Sequence, residues 1–145
     1  MPMWFTEGMA EYLTMKISYN NQLPKVDLFK SGGYISVDSV CRSSLKKENG
    51  PYILKHIGET GIMVELFGKK RGEYAPTFYN CSCSFTKYLV ETYGLDKMLK
   101  AVSEFKNEHK TIEKLTEKTM KELKKEWLIK INQDYNREYI KLHGR

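Results

Sequence analysis

Apolar residues recur at helical spacing in four stretches of this chain. Near its start, Phe5, Met9, Tyr12 and Leu13 mark one apolar face, while Glu7 and Glu11 neighbour each other on another. Thr6 could cap this helix, but Pro2 suits the first helical position, so the helix should begin earlier. A second stripe is Phe78, Phe85, Leu89 and Tyr93, flanked by Tyr88 and Val90, with Pro76 in its first turn and Gly94 closing it. Met98, Leu99, Val102 and Phe105 form a third. The last holds Met120, Leu123, Trp127, Leu128, Ile131 and Tyr135, and Thr119 with Glu122 makes a capping box at its head. These patterns predict a mainly α domain with helices at about 3–16, 75–93, 96–107 and 119–137.

The intervening segments are shorter. Ser18 to Gln22 is turn-like and Pro24 bars helix continuation. Val26 to Ser31, ended by Gly32-Gly33, and Ser36 to Leu45 fit short helices. Lys46 to Pro51 and Gly68 to Gly72 have loop composition, the second strongly basic. Ile62 to Phe67 fits a strand or the middle of a short helix. Thr111 can cap a short helix holding Ile112 and Leu115. No internal repeat or low-complexity segment is found.

Length and charge narrow the picture further. The 145 residues make one domain or part of one, read as a single unit over 1–145 with a modest core. Ten tyrosines against six phenylalanines imply many half-buried rings with a polar end that needs a partner. The net charge of +6 comes mostly from lysines interspersed with acids along the C-terminal third, the pattern of a solvated helix face. Lys69, Lys70 and Arg71 could meet phosphates, but there is no base-reading module, zinc finger or Gly-rich phosphate loop, so no nucleic-acid partner is expected. No stretch is long and apolar enough to span a bilayer. Cys41, Cys81 and Cys83 are odd in number and do not fit a disulfide framework; they read as small buried residues in a reducing compartment. With no signal peptide at its start, the chain as it stands reads as cytoplasmic, although a longer parent could be exported.

Gly8 costs about 1 kcal/mol against Ala inside a helix, so its place beside Glu7 points to a close backbone approach. The stretch Trp4-Phe5-Thr6-Glu7-Gly8-Met9-Ala10-Glu11-Tyr12 resembles the third-ligand helix of the gluzincin zinc metallopeptidases, the peptidase MA-like group related to aminopeptidase N and thermolysin. A second stretch, Tyr79 to Gly94, resembles the same group through Tyr79, Phe85, Tyr88, Leu89, Tyr93 and Gly94. The Leu123 and Trp127 spacing follows in the group's order, while residues 17–73 match it only loosely.

The resemblance implies the helical C-terminal subdomain of a zinc peptidase acting on peptides or proteins, with Glu7 as third zinc ligand. It implies Tyr79 as donor to the oxyanion, since a phenol stays neutral at pH 7 and does not compete for the metal. The pattern breaks at the zinc. The group's His-Glu-x-x-His helix is missing from this sequence, and His56, His109 and His143 include no i,i+4 pair. His56 reads as a structural or surface imidazole, His109 as part of a polar linker, and His143 as part of a frayed terminus. Zinc is therefore expected in an intact parent and not in this chain alone, which should hydrolyse nothing. The first helix would then need covering by an N-terminal segment or a second chain, and Phe5 or Met9 would be exposed in the groove left open. The alternative is a non-catalytic helical binding or scaffold module with a basic surface.

Overall fold

The computed structural model describes residues 3–20, 34–104 and 106–143, with side chains described over 3–17, 37–104 and 106–133. Seven α-helices account for most of these residues: α1 (Met3–Asn20), α2 (Tyr34–Leu45), α3 (Gly50–His56), α4 (Arg71–Tyr93), α5 (Leu95–Ser103), α6 (Glu108–Thr116) and α7 (Met120–His143). A 3-10 turn, Val64–Leu66, lies between α3 and α4, and no strand occurs among the described residues. The domain is mainly α, as the periodicity predicts.

The long α4 is the centre. It packs against α1 on one side and α2 on another, and α3, α5 and α7 also touch it. Residues 80–87 of α4 are all buried, although they include Asn80, Ser82, Ser84, Thr86 and Lys87. Small side chains allow this. A helix surrounded on every side cannot carry large residues all round without forcing its neighbours away.

Gly8 is where α1 comes closest. A Cβ at Gly8 would overlap Thr86 Oγ1 and lie 2.5 Å from the backbone oxygen of Ser82. The close approach expected from a helical glycine is therefore made, and its partner is α4. Above this crossing the aromatic rings stack. Phe85 lies between Trp4 (centroids 4.8 Å apart, planes at 19°) and Trp127 (4.9 Å, 21°), which joins α1, α4 and α7 in one column.

Several boundaries differ from the sequence expectation. α4 begins at Arg71, so Pro76 sits inside the helix and Arg71 and Gly72 belong to its first turn and not to a loop. α3 takes in Gly50 and Pro51, with Pro51 at a position where its missing N–H costs nothing. Ile62 to Phe67 is neither strand nor α-helix but is built around the 3-10 turn. α5 stops at Ser103, and Lys106 then turns to φ 70°. α6 begins at Glu108, which leaves Thr111 inside it and not at its cap. The helix expected over Val26–Ser31, Phe105, and the side chains of Tyr135 and His143 lie outside the described residues.

The head of α7 is built as predicted. Glu122 N–H donates to Thr119 Oγ1 (3.1 Å), whose hydroxyl in turn donates to Glu122 Oε1 (3.1 Å). Glu113 of α6 adds a second cap by accepting from Met120 N–H (2.7 Å). The preceding turn needs a left-handed residue and uses Glu117 at φ 59°.

The cysteine expectation is corrected. Cys41 of α2 and Cys81 of α4 are joined by a disulfide across Cα atoms 4.8 Å apart, and Cys83 is a free buried thiol. An odd count leaves room for one bridge. Cys81 and Cys83 point to different sides of α4, as helical spacing requires, so only Cys81 meets α2. A bridge spanning 40 residues stabilises by about 2–4 kcal/mol.

Three substitutions test this packing and its turns. Gly8→Ala should destabilise the fold by about 1–3 kcal/mol, because the obstructing Ser82 oxygen belongs to the backbone and cannot rotate away. Gly61→Ala, which meets nothing within 4 Å, should change stability by less than about 0.5 kcal/mol. Glu117→Gly should stabilise by about 1 kcal/mol by relieving the left-handed strain. Chemical denaturation of the three variants would read all of these effects.

Candidate functional site

Glu7, Gly8 and Glu11 of α1 lie at its crossing with α4. Gly8 seats α1 on Ser82 and Thr86, and Glu7 and Glu11 flank that seat one turn apart. Both carboxylates are half-buried. Glu7 has no hydrogen bond or ion pair with any described residue. Burial raises the pKa of Glu11, and the neighbouring Glu7 adds to the rise. Glu11 also lies close enough to Cys83 to disfavour its thiolate: burial, then Glu11 and Asp38, push the Cys83 thiol upward, so it is not an activated nucleophile.

Tyr79 sits two turns into α4 and not at its start. It stands three and four residues before Ser82 and Cys83, so it shares the face of α4 that α1 crosses. Its half-buried ring packs edge-on to Phe78 (centroids 5.9 Å apart), and the Arg71 guanidinium carbon lies 5.7 Å from its centroid. Its hydroxyl has no hydrogen-bond partner among the described residues. No hydrogen bond or ion pair joins Tyr79 to Glu7.

These residues do not fit a zinc ion by themselves. A zinc site needs about three or four protein ligands, and no group of three or more His, Cys, Asp or Glu among the described residues could hold a metal. The histidines are placed elsewhere. His56 is a partly exposed imidazole on α3 whose Nδ1 lies 3.1 Å from the Tyr52 carbonyl oxygen. His109 is not in a linker but in the first turn of α6, and its Nε2 accepts a hydrogen bond from Trp4 Nε1 (2.9 Å). Phe5 and Met9, expected at the surface of an open groove, are 1% and 4% exposed. They line a small cavity with Val102 of α5 and Glu108 of α6.

The sequence reading missed a polar chain on the opposite side of α4. Trp127 Nε1 donates to Ser84 Oγ (2.9 Å), which donates to Asp38 Oδ1 (2.6 Å); Lys87 Nζ donates to Asp38 Oδ2 (2.7 Å). Asp38 and Lys87 are both buried. Glu91, one turn after Lys87, lies 3.5 Å from its ammonium. Burial pushes the Lys87 pKa down, but Asp38 and then Glu91 more than offset that, so the ammonium stays charged. Ser84 is fully buried and its acceptor Asp38 is held in an ion pair with Lys87, so the hydroxyl is not presented to a substrate. The polar chain is a structural tie between α2, α4 and α7. One sequence signal for it exists: residues 74–86 hold no charged side chain in a chain that is 29% charged, so Lys87 follows directly on a segment that reads as interior.

Comparison with protein-family models, curated proteins and solved structures finds no match to this chain. No helix among the described residues is long and apolar enough to cross a membrane.

Two predictions follow from this polar chemistry. Asp38→Asn leaves the Lys87 ammonium buried without its main counter-charge and should cost about 3–5 kcal/mol. Asp38→Asn with Lys87→Met removes the charge, keeps an acceptor for Ser84, and should be more stable than Asp38→Asn alone in urea unfolding. His109 is lowered by burial, which Glu113, Glu59 and Glu108 oppose. Its folded pKa thus lies below its ordinary value of 6.5. The stability it contributes is complete above that value and is lost as the pH falls through the folded pKa, because protonated Nε2 cannot accept from Trp4. His109→Gln keeps an acceptor without titrating. Its melting temperature should fall less than that of the wild type between about pH 7 and pH 5.

Proposed function

We propose that this chain is the C-terminal helical portion of a gluzincin-type zinc metallopeptidase, whose intact form hydrolyses peptide bonds. The observation that carries this reading is the contact at Gly8. The two stretches that resemble the group lie far apart in sequence, and Gly8 of one rests on Ser82 and Thr86 of the other. A Glu-Gly pair then has a physical purpose: the glycine allows the backbones to meet, and the meeting fixes the adjacent carboxylate. Glu7 and Tyr79 also keep their polar ends unengaged, as a ligand and an oxyanion donor require.

In the parent, Glu7 is the third metal ligand and Tyr79 the donor, while the histidine pair and general base come from a segment outside this sequence. No catalytic step is assigned to the chain alone. The Cys41–Cys81 bridge favours an exported parent over a cytoplasmic one. The competing reading is a non-catalytic binding module. The exposed apolar residues Ile62, Val64 and Phe67 favour it.

The test begins with the reading frame upstream of Met1, which should encode a His-Glu-x-x-His helix. The extended protein should bind about one zinc per chain by elemental analysis and cleave an unfolded protein substrate. Glu7→Gln should lose the zinc, and Tyr79→Phe should keep it while lowering kcat by about a hundredfold. An upstream frame without the histidine pair, or zinc unaffected by Glu7→Gln, would overturn the assignment. The 145-residue chain should show neither zinc nor hydrolysis.

A further inference from the structure

The segment between α3 and α4 alternates between buried and exposed apolar residues with unusual sharpness. Met63 and Leu66 are 1% and 0% exposed, whereas Ile62, Val64 and Phe67 are 64%, 72% and 58% exposed. The 3-10 turn explains the alternation. Residues three apart eclipse one another in such a turn, so Met63 and Leu66 point inward together and Val64 and Phe67 point outward together. The segment is also tied down. Phe67 N–H donates to the Val64 carbonyl (3.0 Å), and Arg71 Nη1 donates to the Leu66 carbonyl (2.8 Å). Three large apolar side chains are therefore held in water by a turn anchored on the core.

Over residues 62–73 three cations, Lys69, Lys70 and Arg71, stand against two acids, Glu65 and Glu73. Lys69 and Lys70 follow the turn directly, are exposed, and form no ion pair with a described residue. They precede the N-terminus of the 23-residue α4, the positive end of its dipole. The nearby acids are directed elsewhere. Both oxygens of Glu65 accept from the Tyr52 hydroxyl at 3.1 Å, and Glu59 acts electrostatically on His109 and Lys124, on the α6 and α7 side. Glu73 remains as an exposed acid two residues beyond Arg71.

We propose that the 62–70 segment is a membrane-docking tip: Ile62, Val64 and Phe67 enter the interfacial layer of an anionic phospholipid bilayer, and Lys69 and Lys70 bind its phosphates. Apolar side chains that project from an anchored turn, with cations at their base, match the layering of such a surface, where an apolar interior lies under a negative face. This inference stands independently of the peptidase reading.

Vesicle flotation of the full chain tests it, with phosphatidylserine-containing vesicles against pure phosphatidylcholine vesicles. The chain should float with the anionic vesicles and not with the neutral ones, and its binding should weaken as salt rises. Ile62→Ser/Val64→Ser/Phe67→Ser should reduce binding by about tenfold or more while leaving the melting temperature near wild type, since all three side chains are exposed. Lys69→Glu/Lys70→Glu should reduce it by a similar factor. Absence of flotation would overturn the proposal. So would binding that survives the triple serine variant, which would mean adsorption by charge alone. A dimer in light scattering that the triple variant dissolves would also overturn it, by making a second copy the occupant of the tip.

Discussion

The stack of Trp4, Phe85 and Trp127 holds this domain together. Each ring comes from a different helix, and both indole N–H groups bond a polar side chain, Trp4 on α6 and Trp127 back on α4. Trp4 reaches His109 on α6, and Trp127 reaches Ser84, which passes the connection to Asp38 on α2. One column of aromatic contact thereby fixes five helices. Buried indoles require this, because an N–H removed from water without an acceptor costs about 1–3 kcal/mol. Placing the stack therefore determines where an acceptor must stand on α6 and on α4.

The central helix is shaped by the same demand for closeness. Gly8 lets α1 approach until it meets the Ser82 carbonyl, and the hydroxyls of Ser82 and Thr86 are left buried without partners at that crossing. An interface that leaves two hydroxyls unsatisfied is held by its surroundings: the stack beside it, the Cys41–Cys81 bridge behind it, and the Asp38–Lys87 pair one turn on. That pair adds little net stability compared with an apolar replacement, since desolvation of two ions offsets most of their attraction. Its consequence is specificity. A buried ammonium accepts only a register in which Asp38 faces Lys87, which pins α2 against α4 in one position.

Much of this was legible in the sequence, for identifiable reasons. The apolar spacing around Phe85 and Trp127 gave the long helices, Gly94 and the Thr119–Glu122 box gave their ends, and Gly8 gave the closest crossing. Local chemistry governs each of these, and local chemistry is visible in a linear chain. What was hidden depends on partners distant in sequence. His109 lies in a polar run, Asn107-Glu108-His109-Lys110, and only the arrival of Trp4 makes it an acceptor. Asp38 and Lys87 look like surface charges until α2 and α4 are packed. Cys41 and Cys81 are uninformative by count and become a bridge only by facing each other. The start of α4 is hidden because a Gly-flanked basic run reads as loop, although a helix can begin with such residues when its N-terminus faces solvent.

The candidate site illustrates how fold and chemistry separate. Every strong tie in the domain, namely the stack, the bridge, the buried ion pair and the caps of α7, avoids Glu7 and Tyr79. Neither side chain makes a hydrogen bond to a described residue, and Tyr79 is held by its ring contacts with Phe78 and Arg71. A group engaged in folding would have to break a bond before it could bind a metal or donate to an oxyanion, and the energy of that break would be lost to catalysis. Gly8 thus fixes the α1–α4 joint without drawing on the polar end of either Glu7 or Tyr79.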